Sequence, residues 1–135
     1  MQAAGPKRAV KQVLVAEDEP NIIVSLEFLL QAAGHAVSVA RDGQQALDMI
    51  QASRPDLIVL DVMLPLVNGF EVCQRIRKDP GLRDVKILML TAHGRKTEMM
   101  RGLEAGANAY MTKPFATHEL LRAVTELLDT GGSRV

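Results

Sequence analysis

Residues able to do chemistry stand where apolar runs of the chain end. Glu17, Asp18 and Glu19 follow Val13 to Ala16, Asp61 follows Leu57 to Leu60 directly, Thr91 and Ala92 follow Lys86 to Leu90, and Thr112-Lys113-Pro114-Phe115 follow Ala109 to Met111. Gathered at one pocket, these groups supply carboxylates, a hydroxyl and an ammonium. Glu17, Asp18 and Asp61 carry three negative charges, which one divalent cation plus Lys113 would neutralise. An all-oxygen acidic set of this kind suits Mg²⁺, which keeps several waters and commonly bridges a carboxylate to phosphate oxygens. The chemistry to expect is attraction of a phosphoryl donor toward Asp61, with Asp61 as nucleophile. Lys113 could pair the resulting aspartyl phosphate, the Thr91 hydroxyl could donate to it, and the small Ala92 would leave it room.

Taken one at a time, each of these residues has a plainer reading. An acid pair ahead of a helix ordinarily serves helix-start electrostatics or a solvated loop. Asp61 reads either as a cap for the next turn or as an acid at the rim of a buried sheet, where desolvation is costly without a partner. A Thr at a strand end follows β-propensity, and a Lys beside a Pro is usually solvated. Joint placement carries the functional reading, so the elements that position the residues decide it.

Five strand-sized runs occur in order: Val13 to Ala16, Ala36 to Ala40, Leu57 to Leu60, Lys86 to Leu90 and Ala109 to Met111. The third and fourth are apolar at nearly every position, the pattern of strands covered on both faces. Between them, Ile22, Leu26, Leu29, Leu30 and Ala33 form a helical stripe that Gly34 stops. A last segment sets Leu120, Leu121, Val124, Leu127 and Leu128 on one side, with Thr117 as candidate N-cap and an end before Gly131 and Gly132. Alternating strands and helices with short connections predict right-handed crossovers and a doubly wound parallel α/β sheet. In such sheets ligands bind outside the carboxyl ends of the strands, where the acids, Thr91 and Lys113 fall.

With 135 residues and 47% hydrophobic content, the chain suits one domain with its own core. Sixteen basic and sixteen acidic residues cancel, giving no overall field toward nucleic acid or an anionic membrane. Cys73 is the single cysteine and can form no internal disulfide. Residues 1–11 hold no apolar run of secretory length and no window approaches a membrane span, so the expectation is a soluble cytoplasmic protein. His35, His93 and His118 fall in different connections without ligand spacing and read as surface histidines.

Together VLVAEDE, LIVLDVMLP, LTA and GANAYMTKPF, in this order at these strand ends, resemble a response-regulator receiver domain of the stand-alone chemotaxis-regulator type, over Val13 to about Leu128. The resemblance implies a flavodoxin-like fold with strand order 2-1-3-4-5 and five helices, a receiver over 12–129, an extension over 1–11 and a flexible tail over 130–135. By motif, Asp18 and Asp61 bind Mg²⁺ directly with the backbone carbonyl of Met63, and Glu17 acts mainly through water. Asp61 accepts the phosphoryl group, Thr91 and Lys113 hold it, and Tyr110 turns inward as Thr91 moves. The Lys113-Pro114 bond is expected to be cis. Glu17 departs from the Asp that many receivers carry, while Met63 and His93 occupy positions that tune dephosphorylation.

The implied donor is a phosphohistidine on a sensor histidine kinase or histidine phosphotransfer protein. The implied output is a target protein at the face of helix 4, strand 5 and helix 5, a phosphorylation-dependent homodimer on that face being one form of it. Met99 and Met100 read there either as adaptable contacts or as core. Two rivals use similar elements. A phosphohydrolase of the haloacid dehalogenase type needs a second catalytic Asp where Met63 stands, and room for a cap domain. A flavodoxin-like binding module wants a hydroxyl- or Gly-rich loop where Glu17, Asp18 and Glu19 would repel a cofactor phosphate. The chain is thus expected to be a signalling phosphoacceptor rather than an enzyme. After Leu128 only DTGGSRV follows, so output runs through protein contact or through a longer regulator.

Overall fold

The structure, a computed structural model, describes residues 10–92 and 94–129. Strands β1 (Gln12–Ala16), β2 (Ala36–Ala40), β3 (Leu57–Asp61), β4 (Lys86–Thr91) and β5 (Ala109–Thr112) alternate with helices α1 (Pro20–Ala32), α2 (Gly43–Ala52), α3 (Gly69–Lys78), α4 (Lys96–Ala105) and α5 (Thr117–Asp129). A 3-10 turn at Pro80–Leu82 precedes β4. All four strand pairings are parallel, in the order β2-β1-β3-β4-β5. From β1 the chain steps outward to β2 and then returns past β1 to β3, so the crevice between the ends of β1 and β3 is the switch point where such sheets bind ligands.

Period-two alternation divides the strands between two cores. Val13, Val15, Leu57, Val59, Leu88 and Leu90 pack with Leu26 and Leu30 of α1 and with Leu120, Val124 and Leu128 of α5. Leu14, Ala16, Ile58, Leu60, Ile87 and Met89 face the other way, toward Ala46 and Ile50 of α2, Val72, Cys73 and Ile76 of α3, and Ala105 of α4. β3 and β4 are buried at every position, as expected for central strands covered on both sides. Arg77 ties the opposite pole together, its guanidinium donating to the carbonyls of Gly106 at 2.8 Å and Val85 at 2.8 Å and to Asn108 Oδ1 at 2.7 Å.

Helix ends follow local chemistry. Asp42 and Asn68 cap α2 and α3 by accepting from the Gln45 and Glu71 amides. Gly34, at φ 98°, receives the chain as it leaves α1, and the His35 amide closes back on the Leu30 carbonyl at 3.1 Å.

Several sequence expectations shift. β3, β4 and β5 each run one residue further than their apolar cores, because Asp61 pairs in register with Leu90 and Thr91 with Thr112. Asp61, Thr91 and Thr112 are therefore the last rungs of the sheet rather than the first residues of loops. Ala33 lies beyond α1 and is exposed, Ile23 taking the buried place instead. Thr117 is the first residue of α5 rather than its cap, since the Leu120 amide donates to the Ala116 carbonyl at 3.0 Å. His118 is exposed on α5, His35 is half-buried between α1 and β2, and His93 lies outside the described residues. So do most of the extension expected at 1–11 and the whole tail expected at 130–135. No helix among the described residues is long and apolar enough to cross a membrane.

Candidate functional site

Strand ends build the site. The Glu17 amide donates to the Ala40 carbonyl at 2.9 Å and the Val62 amide to the Leu90 carbonyl at 2.9 Å, so the sheet ladder fixes the backbone on either side of the switch point. The Lys113 amide donates to the Thr91 carbonyl at 2.7 Å, which brings the loop after β5 back over β4. The Lys113-Pro114 bond is cis. At Gly69 the start of α3 approaches β3 so closely that a Cβ would collide with the Asp61 carbonyl, while the Gly69 amide donates to the Val62 carbonyl at 2.8 Å.

The expected acids do meet. One carboxylate oxygen from each of Glu17, Asp18 and Asp61 lies within 4.8 Å of the others. Their exposures differ, which matters chemically: Glu17 (1%) and Asp61 (3%) are buried, whereas Asp18 is exposed at the mouth. Lys113 Nζ stands 3.0 Å from Glu17 Oε1 and 3.3 Å from Asp61 Oδ1. The Glu19 amide donates to Glu17 Oε2 at 3.1 Å and the Met63 amide to Asp61 Oδ1 at 3.3 Å.

Three carboxylates against one ammonium leave the cluster short of positive charge. Burial pushes the Glu17 carboxyl above its ordinary value of 4.5; contact with Lys113 pulls it down and the neighbouring Asp61 charge pushes it up again. Burial alone would lower the Lys113 amine, but its bond to Glu17 and the charges of Asp61 and Glu17 outweigh that and raise it above 10.5. Glu17 Oε1 is buried, and among the described residues it has no hydrogen-bond partner beyond its 3.0 Å ion pair with Lys113. A buried oxygen left short of partners, in an all-oxygen set with charge to spare, fits a hard divalent cation.

On the other side of Thr91 the structure adds a residue that sequence reasoning missed. Thr91 is fully buried, and its hydroxyl donates to Glu98 Oε1 of α4 at 3.3 Å. Tyr110 is also hydrogen-bonded to Thr91, and burial, offset by that bond and reinforced by the Glu98 charge, raises its phenol above 10.0. Its ring packs against the core and over Gly102, where an added Cβ would stand 3.1 Å from Cδ2. Met99 and Met100, left open between contact and core, are 38% and 51% exposed, and Leu103 beside them is 48% exposed. Small buried residues, Gly102 and Ala105, face the sheet instead.

Comparison with known proteins agrees with this geometry. The family model described as response regulator receiver domain matches residues 13–125. The alkaline phosphatase synthesis transcriptional regulatory protein PhoP of Bacillus subtilis is 43% identical over 118 residues, covering 87% of this chain and 48% of its own length. Response regulator MprA of Mycolicibacterium vanbaalenii is 44% identical over 117 residues, 87% of this chain and 50% of its own. The chain thus spans about half the length of these relatives. Among solved structures, a putative response regulator from Chloroflexus aurantiacus superposes with a TM-score of 0.86 at 37% identity, covering 90% of this chain and 99% of that one. The receiver domain of a Pseudomonas aeruginosa sensor histidine kinase, whose structure holds magnesium in the active-site cleft, gives 0.83 at 32% identity, with coverage of 90% and 99%. With the sheet order, the converging acids and the profile in agreement across most of its length, this chain belongs to the response regulator receiver domain family of two-component signalling.

Proposed function

We propose that the chain accepts a phosphoryl group on Asp61 from a phosphohistidine, carried by a sensor histidine kinase or a histidine phosphotransfer protein, and that the aspartyl phosphate changes which proteins the domain contacts. The observation that carries this reading is the convergence of three carboxylates within 4.8 Å, with Lys113 Nζ 3.3 Å from Asp61 Oδ1. Asp18 and Asp61, with the Met63 carbonyl, would hold Mg²⁺ directly, and Glu17 would act mainly through water. Bound there, the ion would supply charge neutralisation for phosphoryl oxygens entering an acidic pocket.

The chain's own groups account for the transfer. An Asp61 carboxylate oxygen attacks phosphorus; the new P–O bond forms as the P–N bond to the donor imidazole breaks, and the released nitrogen pair takes up a proton. Lys113 pairs the phosphoryl charge, and Thr91 donates its hydroxyl proton. Hydrolysis later returns the carboxylate and inorganic phosphate, so the chain is a phosphoacceptor that resets itself rather than a turnover enzyme. Met63, where a haloacid dehalogenase type of phosphohydrolase needs its second catalytic Asp, instead presents an exposed thioether (65%).

The exposure of Met99, Met100 and Leu103 on α4 supports assigning the face of α4, β5 and α5 to a target protein or to a phosphorylation-dependent homodimer. The zero formal net charge supports assigning no nucleic-acid contact to this chain, although relatives such as RpaA of Synechocystis are named as DNA-binding over a length this chain half covers. We place it in the cytoplasm, where such donors act.

Intact mass after incubation with acetyl phosphate and Mg²⁺ tests the reading. One phosphoryl adduct that disappears in Asp61→Asn and without Mg²⁺ is the expected result. No adduct together with no Mg²⁺ binding would refute it.

A further inference from the structure

A hydroxyl has one proton to give. In this structure Thr91 gives it to Glu98 Oε1, 3.3 Å away on α4. Tyr110 is bonded to the same hydroxyl, so Glu98 and the phenol share Thr91 as a partner. Thr91 and Tyr110 lie on the face of the sheet that carries α4, whereas Asp61 extends the series of Leu57 and Val59 on the α1 and α5 face. A phosphoryl group on Asp61 and the carboxylate of Glu98 would therefore compete for one proton from opposite sides.

We propose that Glu98 is a positioning residue that latches Thr91 toward α4 in the unphosphorylated chain, and that phosphorylation proceeds by displacing this latch. The inference rests on Asp61 being the phosphoacceptor and adds what holds the switch before transfer. When Thr91 turns to the phosphoryl group, Glu98 and Tyr110 lose their shared partner together. Glu98 lies in the first turn of α4, one residue before Met99 and two before Met100. The lost bond consequently loosens the start of the helix that presents the exposed methionines, which couples the site to the contact face.

Rates of labelling by acetyl phosphate and affinity for beryllium fluoride, a tetrahedral phosphoryl mimic, test the latch in Glu98→Ala, Glu98→Gln and Glu104→Gln. Glu98→Ala should gain roughly fivefold in both, less than a well-buried hydrogen bond to a charged group would return, because the carboxylate is half-exposed. Glu98→Gln, whose amide oxygen still accepts, should gain less, and Glu104→Gln, which removes the same charge from the far end of α4, should match wild type. In a Thr91→Ala background the Glu98→Ala gain should vanish; a general charge effect would persist there and would overturn the proposal, as would no gain at all. Tyr110 is the only tyrosine and there is no tryptophan, so its emission reports the cluster directly. Emission of unphosphorylated Glu98→Ala should move toward that of the beryllium fluoride complex. If wild type takes no phosphoryl group, the reading of Asp61 has failed; if the emission of Glu98→Ala equals wild type, the latch has failed regardless.

Discussion

Replacing Lys113 by Met is the most informative perturbation of the acidic pocket, because it removes the one cation among the described residues in contact with both Glu17 and Asp61 and keeps most of the length of the side chain. The lysine side chain is 15% exposed and its partners 1% and 4%, so the pair falls in the buried class, where loss of one member typically costs about 3–5 kcal/mol. Exposed Asp18 opens the pocket to water on one side, which lowers the expectation to about 2–3 kcal/mol at pH 7 without Mg²⁺. The pH dependence is diagnostic. Glu17 has a folded-state value raised above 4.5, so the folded chain binds its proton more tightly than the unfolded chain. Stability from this group is fully present below 4.5 and is lost as pH rises through the folded value. Removing Lys113 deletes interactions that pull Glu17 down, so that loss widens toward higher pH in the variant. The difference between wild type and Lys113→Met should accordingly be largest near neutrality and shrink below about pH 4.5, where Glu17 is protonated in both states. Added Mg²⁺ should recover part of it by replacing the missing positive charge. Urea unfolding followed by circular dichroism, from pH 3.5 to 8 with and without Mg²⁺, measures all of this. A penalty independent of pH, or a variant as stable as wild type at pH 7, would refute the electrostatic account.

Other outcomes follow from the same geometry. Mg²⁺ at a hundredfold excess over its dissociation constant should stabilise wild type by about 2.7 kcal/mol, while Asp18→Asn should gain far less; thermal melts against Mg²⁺ concentration check this. Gly69→Ala places a Cβ against the Asp61 carbonyl and should cost about 1–3 kcal/mol in urea unfolding while slowing acetyl phosphate labelling. Cys73 is buried, its thiol donates to the Ala105 carbonyl at 3.3 Å, and burial pushes it up to about 11. It should stay unreactive toward a thiol-specific disulfide reagent at pH 7.5 until urea unfolds the chain.

Strand and helix order, the doubly wound sheet and the meeting of Glu17, Asp18, Asp61 and Lys113 were all legible in the sequence. Apolar runs and helical stripes are local signals, and in a parallel sheet every strand delivers the residue at its carboxyl end to the same edge. Motifs carried by residues at those ends therefore translate directly into proximity. Burial of individual acids did not translate: adjacent Glu17 and Asp18 look alike in the chain, yet one is enclosed beneath Lys113 and the other faces solvent. Strand lengths were underestimated by one residue at Asp61, Thr91 and Thr112, because polar side chains end an apolar run without ending the backbone ladder. Met99 and Met100 could face either way until the packing of Gly102 over Tyr110 set the rotation of α4. Only the folded chain brings Glu98 to Thr91. Seven positions separate them with no repeating pattern, and their contact depends on where α4 starts above the sheet, which is decided by packing between elements rather than by any period within one.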